Sequence, residues 1–112
     1  MTERLRRRSD FAMVFERGTY LSSDQLALRY LRRSDDGPSR FGFVIPRRVG
    51  GAVVRNRLRR RLKAILERLP YSGGYDCVWV VRDGESREAA ALPGEVRALL
   101  EKSGALGEVI SR

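Results

Sequence analysis

Between residues 9 and 17 the apolar side chains Phe11, Val14 and Phe15 recur at i, i+3 and i+4, the spacing of one helical face. Ser9 offers an N-cap hydroxyl, Asp10 places negative charge in the first turn, and Gly18 stands where helices usually stop. A short helix through Arg17 is therefore predicted, with those three side chains turned to a core. Tyr20 and Leu21 then lead into residues 25–30, where the period becomes two. Leu26, Leu28 and Tyr30 alternate with Gln25, Ala27 and Arg29, the pattern of a half-buried antiparallel strand. An acidic turn with Gly37 and Pro38 precedes an apolar run at residues 41–45, a more central strand. Pro46 ends it, because proline cannot donate to the ladder.

A loop at residues 47–51 carries two glycines, and a long helix is predicted from Ala52 to just before Pro70. Val54, Leu58, Leu62, Ile65 and Leu69 form one apolar stripe along it. Residues 76–82 read as a strand buried on both faces, closed by a turn at Asp83 and Gly84. A last helix from Leu92 turns Val96, Leu99 and Leu100 inward and stops at Gly104, and residues 105–112 are expected to fray.

At 112 residues this is expected to be one domain, 1–112, with a single core. No apolar run approaches the roughly 20 residues of a membrane span, and the charges of the N-terminus are followed by no signal-peptide core. A cytoplasmic protein is expected, with no membrane partner. Cys77 is the only cysteine and there is no histidine, which excludes an internal disulfide, a Ser–His–Asp triad and a two-histidine nuclease. Cys77 itself, inside the run CVWVV, reads as a small buried hydrophobe. We expect no catalytic residue and no metal site on this chain.

Charge changes the picture most. Residues 40–68 hold ten of the 23 basic side chains and one of the 14 acidic ones, so this window alone carries the formal net charge of +9. At about 100° per residue, Asn56, Arg60 and Lys63 lie opposite the apolar stripe of the long helix. Arg55 and Arg59 flank that stripe on one side, and Arg57, Arg61 and Arg68 on the other. Solvated helix faces normally mix both signs, so a face this one-sided points to a polyanion. Gly50 and Gly51, ahead of free N–H groups at the helix start, also suit close approach of phosphate. Residues 1–8 form a basic arm, with Arg4, Arg6, Arg7 and Arg8, that either frays or lies on phosphate.

The segment GAVVRNRLRRRLK resembles the arginine–asparagine–arginine signature of the bacterial ribonuclease P protein subunit. RLRRRSDFAMVFERG before it and GYDCVWVVRDG after it agree in order, so the similarity covers roughly residues 4–102. The resemblance implies an α+β fold: a two-layer sandwich of three helices and a mainly antiparallel four-stranded sheet, with a left-handed βαβ crossover. It implies a non-catalytic cofactor of an RNA enzyme that matures the 5′ end of tRNA. The RNA would perform the hydrolysis with Mg2+, and the protein would bind no cofactor of its own. Implied partners are the catalytic RNA, joined 1:1, and precursor tRNA with its 5′ leader. By the same resemblance Arg47, Arg48, Arg55, Asn56, Arg57, Arg60 and Arg61, with the neighbouring Arg59 and Lys63, face the catalytic RNA. Phe11 and Phe15 would then line a cleft for the single-stranded leader, partly exposed and not in the core. The family often carries an aromatic on the first long strand; here Arg29 sits at that place and Tyr30 one residue along. Either Tyr30 points into the core or a bulge returns it to the cleft. Two other readings are a ribosomal or other non-catalytic RNA-binding protein of the same sandwich class, and a protein-only nuclease.

Overall fold

The most apolar strand of the sequence occupies the centre of the sheet. A computed structural model describes residues 2–35, 37–82 and 89–105, so the turn at Asp83 and Gly84 and residues 106–112 lie outside the described residues. Strand β5 (Tyr75–Val81) pairs in parallel with β4 (Ser39–Val44) and antiparallel with β3 (Leu26–Arg32). Beyond β3 lies β2 (Thr19–Ser22), antiparallel to it; beyond β4 lies β1 (Thr2–Arg4), parallel to it. The order is β1-β4-β5-β3-β2.

Both faces of β5 are covered because its side chains alternate between two cores. Tyr75, Cys77, Trp79 and Val81 join Leu58, Leu62 and Leu66 of helix α2 (Ala52–Glu67) and Leu92, Val96, Leu99 and Leu100 of helix α3 (Leu92–Ser103). Val78 and Val80 face the other way, against Leu5 and against Phe11 and Val14 of helix α1 (Arg8–Arg17). Each fully buried leucine contributes about 1.5–3 kcal/mol, so the α2/α3 side carries most of the stability. The α+β class and the three helices agree with expectation. Among the described residues, however, the sheet has five strands, two of its four pairings are parallel, and helices cover both faces instead of one.

Several local expectations are corrected. The arm does not fray at its start: Thr2–Arg4 is strand, Leu5 is buried, and its N–H donates to the Phe41 carbonyl at 2.9 Å. That anchor sets the helix start earlier, so Arg7 is the N-cap of α1 and Ser9 lies inside the helix. On α2 the buried stripe is Leu58, Leu62 and Leu66, while Ile65 is only half-buried and Val54 is exposed, because the first turn stands clear of the sheet. Ala105, expected to fray, is buried, and its carbonyl accepts from Ser72 N–H at 2.9 Å.

One polar cluster crosses three elements. The Asp76 carboxylate, 4% exposed, accepts from Arg33 Nη1 at 2.6 Å, Arg40 Nε at 2.8 Å and Arg40 Nη2 at 2.6 Å. Arg40 also reaches Asp10 of α1 at 3.4 Å, and Arg33 pairs with Asp35 at 2.9 Å. Asp76 and Arg40 are register partners on β5 and β4, which explains the contact geometrically. The Arg33 guanidinium, with help from the Gly37 N–H, holds the Asp35 carboxyl below its ordinary range. Arg40, part of the charged window of the sequence, is therefore neutralised inside the fold.

Candidate nucleic-acid interface

Three buried leucines fix α2 on the sheet and leave the rest of its circumference to solvent. Asn56, Arg57, Arg60, Arg61 and Lys63 are exposed, and Arg55 and Arg59 half-exposed. Arg55 Nε donates to the Gly50 carbonyl at 3.1 Å, Arg59 Nη1 to Asn56 Oδ1 at 3.0 Å, and Arg61 Nη2 to the Ala89 carbonyl at 3.3 Å. These bonds orient the guanidinium groups without neutralising them. Among the described residues no carboxylate lies in ion-pair range of Arg47, Arg55, Arg57, Arg59, Arg60, Arg61 or Lys63. The first turn of α2 holds no acidic residue, and no side chain caps it, so its positive dipole end stays open. Gly51, the N-cap, faces open space, consistent with close backbone approach there.

The segment ahead of α2 is a 3-10 turn, Arg47–Val49, at the exit of β4. Its Arg48 reaches a second surface, a cleft of about 400 Å³ on the α1 side of the sheet. Ala27 and Val80 belong to its floor, Phe15 and Tyr20 to its aromatic wall, and Arg29, Arg48 and Arg82 line it with positive charge. Phe15 is 40% and Tyr20 50% exposed, high values for rings of this size. The Arg29 guanidinium lies 5.1 Å from the Phe15 ring centroid and 4.9 Å from that of Tyr20. Aromatic faces beside cations over an apolar floor are what a single-stranded nucleic acid uses, since every base has a π face and every linkage a charge.

The expected cleft residues do not all meet there. Phe15 does. Phe11, one turn earlier, is half-buried against Val14 and Val78, and its ring lies so close over Gly42 that a side-chain carbon at residue 42 would overlap it. Tyr30 faces the opposite side of the sheet, 6.3 Å from the Tyr75 ring and packed on the α2/α3 core. No bulge restores it, because β3 pairs residue by residue with β5 from Leu26 to Arg32. Arg29 takes that place in the cleft, as the alternation of the strand itself implied. Tyr20 was overlooked because β2 has only four residues, too few to show a period, and Arg82 because it reads as the last residue of a buried strand that in fact ends at Val81.

The basic arm is divided too. Arg4, Arg6 and Arg7 line a cavity of about 550 Å³ with Arg40 and Lys63, but Glu3, Asp10 and Glu67 share it, so its charge is mixed. Arg8 opens α1 and is exposed. Cys77 is buried, and burial pushes its thiol up to about 12, leaving negligible thiolate for chemistry. Among the described residues no three His, Cys, Asp or Glu side chains gather as metal ligands, and no helix is long and apolar enough to cross a membrane.

Comparison with known proteins shows the family and the fold. The sequence model of the Ribonuclease P family matches residues 1–104. A ribonuclease P protein component from Gluconacetobacter diazotrophicus is 44% identical over 108 residues, covering 93% of this chain and 93% of that protein. The RNase P protein from Thermotoga maritima superposes with a TM-score of 0.77 at 29% identity, over 89% of this chain and 96% of that one. The Staphylococcus aureus RNase P protein shares the fold, with a TM-score of 0.80 at 16% identity over 93% of this chain and 97% of that one.

Proposed function

This chain belongs to the ribonuclease P protein family, and from that premise we propose that it is the non-catalytic protein subunit of an RNA-based ribonuclease P that removes 5′ leaders from precursor tRNA. The observation that carries the reading is the adjacency of two surfaces through Arg48: an α2 face whose cations have no carboxylate partner among the described residues, and an aromatic, basic cleft. Arg47, Arg48, Arg55, Asn56, Arg57, Arg59, Arg60, Arg61 and Lys63 would lie on the catalytic RNA and screen its phosphate repulsion, in a 1:1 complex. Phe15, Tyr20 and Arg29 would grip the leader strand, with Phe11 holding α1 at its height above the sheet. The exposed Arg6 and Arg7, and Arg8 beside them, extend the basic surface toward RNA.

The cleft is aromatic and cationic, which does not fit a divalent ion. Mg2+ for the hydrolysis would be held by RNA phosphates, and this chain would bind no cofactor. What its residues contribute is position: the helix fixes the RNA, the cleft fixes the leader, and the scissile linkage is presented between them. The assembly would work in the cytoplasm.

Incubating the chain with precursor tRNA, with and without the catalytic RNA, tests the reading. Accelerated cleavage at low Mg2+ only when both are present supports it. No effect of the chain on the RNA points to another RNA-binding role, and cleavage without the RNA to a protein-only nuclease.

A further inference from the structure

Resting on the reading that the cleft takes the single-stranded leader, we propose that Gly42 is a positioning residue that sets the width of that cleft without lining it. Helix α1 crosses the sheet obliquely. Asp10 near its start reaches Arg40 on β4 at 3.4 Å, Val14 in its middle packs with Val78 of β5, and Phe15 stands beside Arg29 on β3. Gly42 lies between Arg40 and Val44 on the face of β4 turned to this helix, with Val78 as its register partner. A Cβ there would come 2.3 Å from Phe11 Cζ and 2.7 Å from Cε1, where carbon atoms in contact need about 3.5 Å. The ring is already packed against Leu5, Val14 and Val78, so it cannot retreat sideways into the core. Room for it exists only because residue 42 has no side chain.

The far end of α1 is fixed in the same way, but more rigidly. Gly18, its C-cap, donates to the Val14 carbonyl at 2.8 Å, and a Cβ on it would lie 2.4 Å from that oxygen and 2.7 Å from the Tyr30 carbonyl oxygen. These are backbone atoms, which no change of rotamer can move. The helix is thus seated on two glycines, and Phe15 lies between the seats. At about 1.5 Å of rise per residue, Phe15 stands about 4.5 Å from the Gly18 end and Phe11 about 10 Å. A methyl group on residue 42 that lifts Phe11 by about 1 Å would tilt α1 about Gly18 and carry Phe15 off the sheet by roughly 0.5 Å. The Phe15 ring is 5.1 Å from the Arg29 guanidinium carbon, and such contacts fade beyond about 6 Å, so the shift loosens the aromatic wall from its cation. Tyr20 belongs to β2 and would stay in place, so the cleft widens from one side.

The test is a double-mutant cycle in the holoenzyme, this chain with its catalytic RNA. Each variant is scored by its leader advantage, the ratio of kcat/KM on a precursor tRNA with a long leader to that on one with a single-nucleotide leader. A variant that is partly unfolded or poorly assembled loses both rates alike and keeps its ratio. Gly42→Ala should lower the advantage by about fivefold, the low end of the worth of one stacked base. Leucine is too short to place atoms where Phe11 Cζ and Cε1 lie. Adding Gly42→Ala to Phe11→Leu should therefore leave the ratio within about twofold of Phe11→Leu alone. That comparison decides the matter even where Gly42→Ala by itself fails to fold. An unchanged ratio for Gly42→Ala, or an equal loss with and without Phe11→Leu, overturns the role of Gly42 while the cleft reading stands. An unmodified holoenzyme with no leader advantage overturns both.

Discussion

Two groups of arginines in this molecule use the same side chain in opposite ways. Arg33 and Arg40 converge on the buried carboxylate of Asp76 and tie β3, β4 and β5 together, with Asp10 adding α1. Arg57, Arg60 and Arg61 stand on α2 with no carboxylate in reach among the described residues. The first group spends its charge on the fold. The second keeps it for a ligand, and pays with like-charge crowding of a few tenths of a kcal/mol per i, i+4 pair. The difference lies in the partner strand or helix, not in the arginine: a register neighbour supplies Asp76 to Arg40, whereas the α2 face has only Glu67 along its length.

The sharpest way to break this contrast is Asp76→Ala. It would strand two cations at a nearly closed site, and losing one partner of a buried pair costs about 3–5 kcal/mol. Urea unfolding should show that loss, and an unchanged midpoint would mean the network is ornamental to stability. The reverse experiment is Arg57→Ala with Arg61→Ala. Stability should change by less than about 0.5 kcal/mol, typical of surface positions, while the log–log salt slope of RNA binding falls by about two. A large loss of stability with an unaltered slope would show that these side chains belong to the first group after all.

Arg29 lies between the two regimes, its charge held by rings. Phe15→Ala should weaken binding of long-leader substrate by about 1–3 kcal/mol, the worth of one stacked base, and leave leaderless substrate unaffected. Equal loss on both substrates would remove Phe15 from the cleft's function.

The smallest effect concerns a carboxylate satisfied by neutral donors. Glu95 accepts from Ser23 Oγ, from Gln25 N–H at 2.9 Å and from Gln25 Nε2 at 2.7 Å. Its partial burial favours the neutral acid, yet these hydrogen bonds outweigh burial and hold it below the usual carboxylate range. A depressed folded-state pKa means that its stabilisation is present above the unfolded-state value near 4.5 and is lost as pH falls through the folded one. Glu95→Gln should therefore cost about 1 kcal/mol at pH 7 and make unfolding less sensitive to acid below pH about 4.5, followed by urea melts from pH 7 to 3. A variant as acid-sensitive as the unmodified chain would place that sensitivity elsewhere.

Much of this was readable in the chain, and the failures share a cause. The helical period of α2, the alternation of β3 and the unbroken apolar run of β5 are local patterns, and each produced the element it announced. The basic face of α2 followed from the same periodicity. The two short edge strands had no pattern to show: Thr2–Arg4 is polar throughout and pairs with residues 37 positions away, where Thr2 meets Ser39. Arg40 was counted in the one-signed window because charge counting cannot see that Asp76 is its register neighbour. Tyr30 was drawn toward the cleft by resemblance, while its own alternation with Leu26 and Leu28 already placed it in the core.

The central place of β5 has a consequence for how the chain acquires its shape. The pairs β2–β3 and β1–β4 share no ladder with each other, and only residues 75–81 join them. Two-stranded ribbons are marginal in water, so neither half is a stable intermediate by itself. During synthesis the strongly basic α2 leaves the ribosome before the strand that completes the sheet, and the cores on both faces close only when that strand arrives. Folding is thus gated by this central strand, and a chain cut short before residue 75 would present cations without a scaffold to aim them.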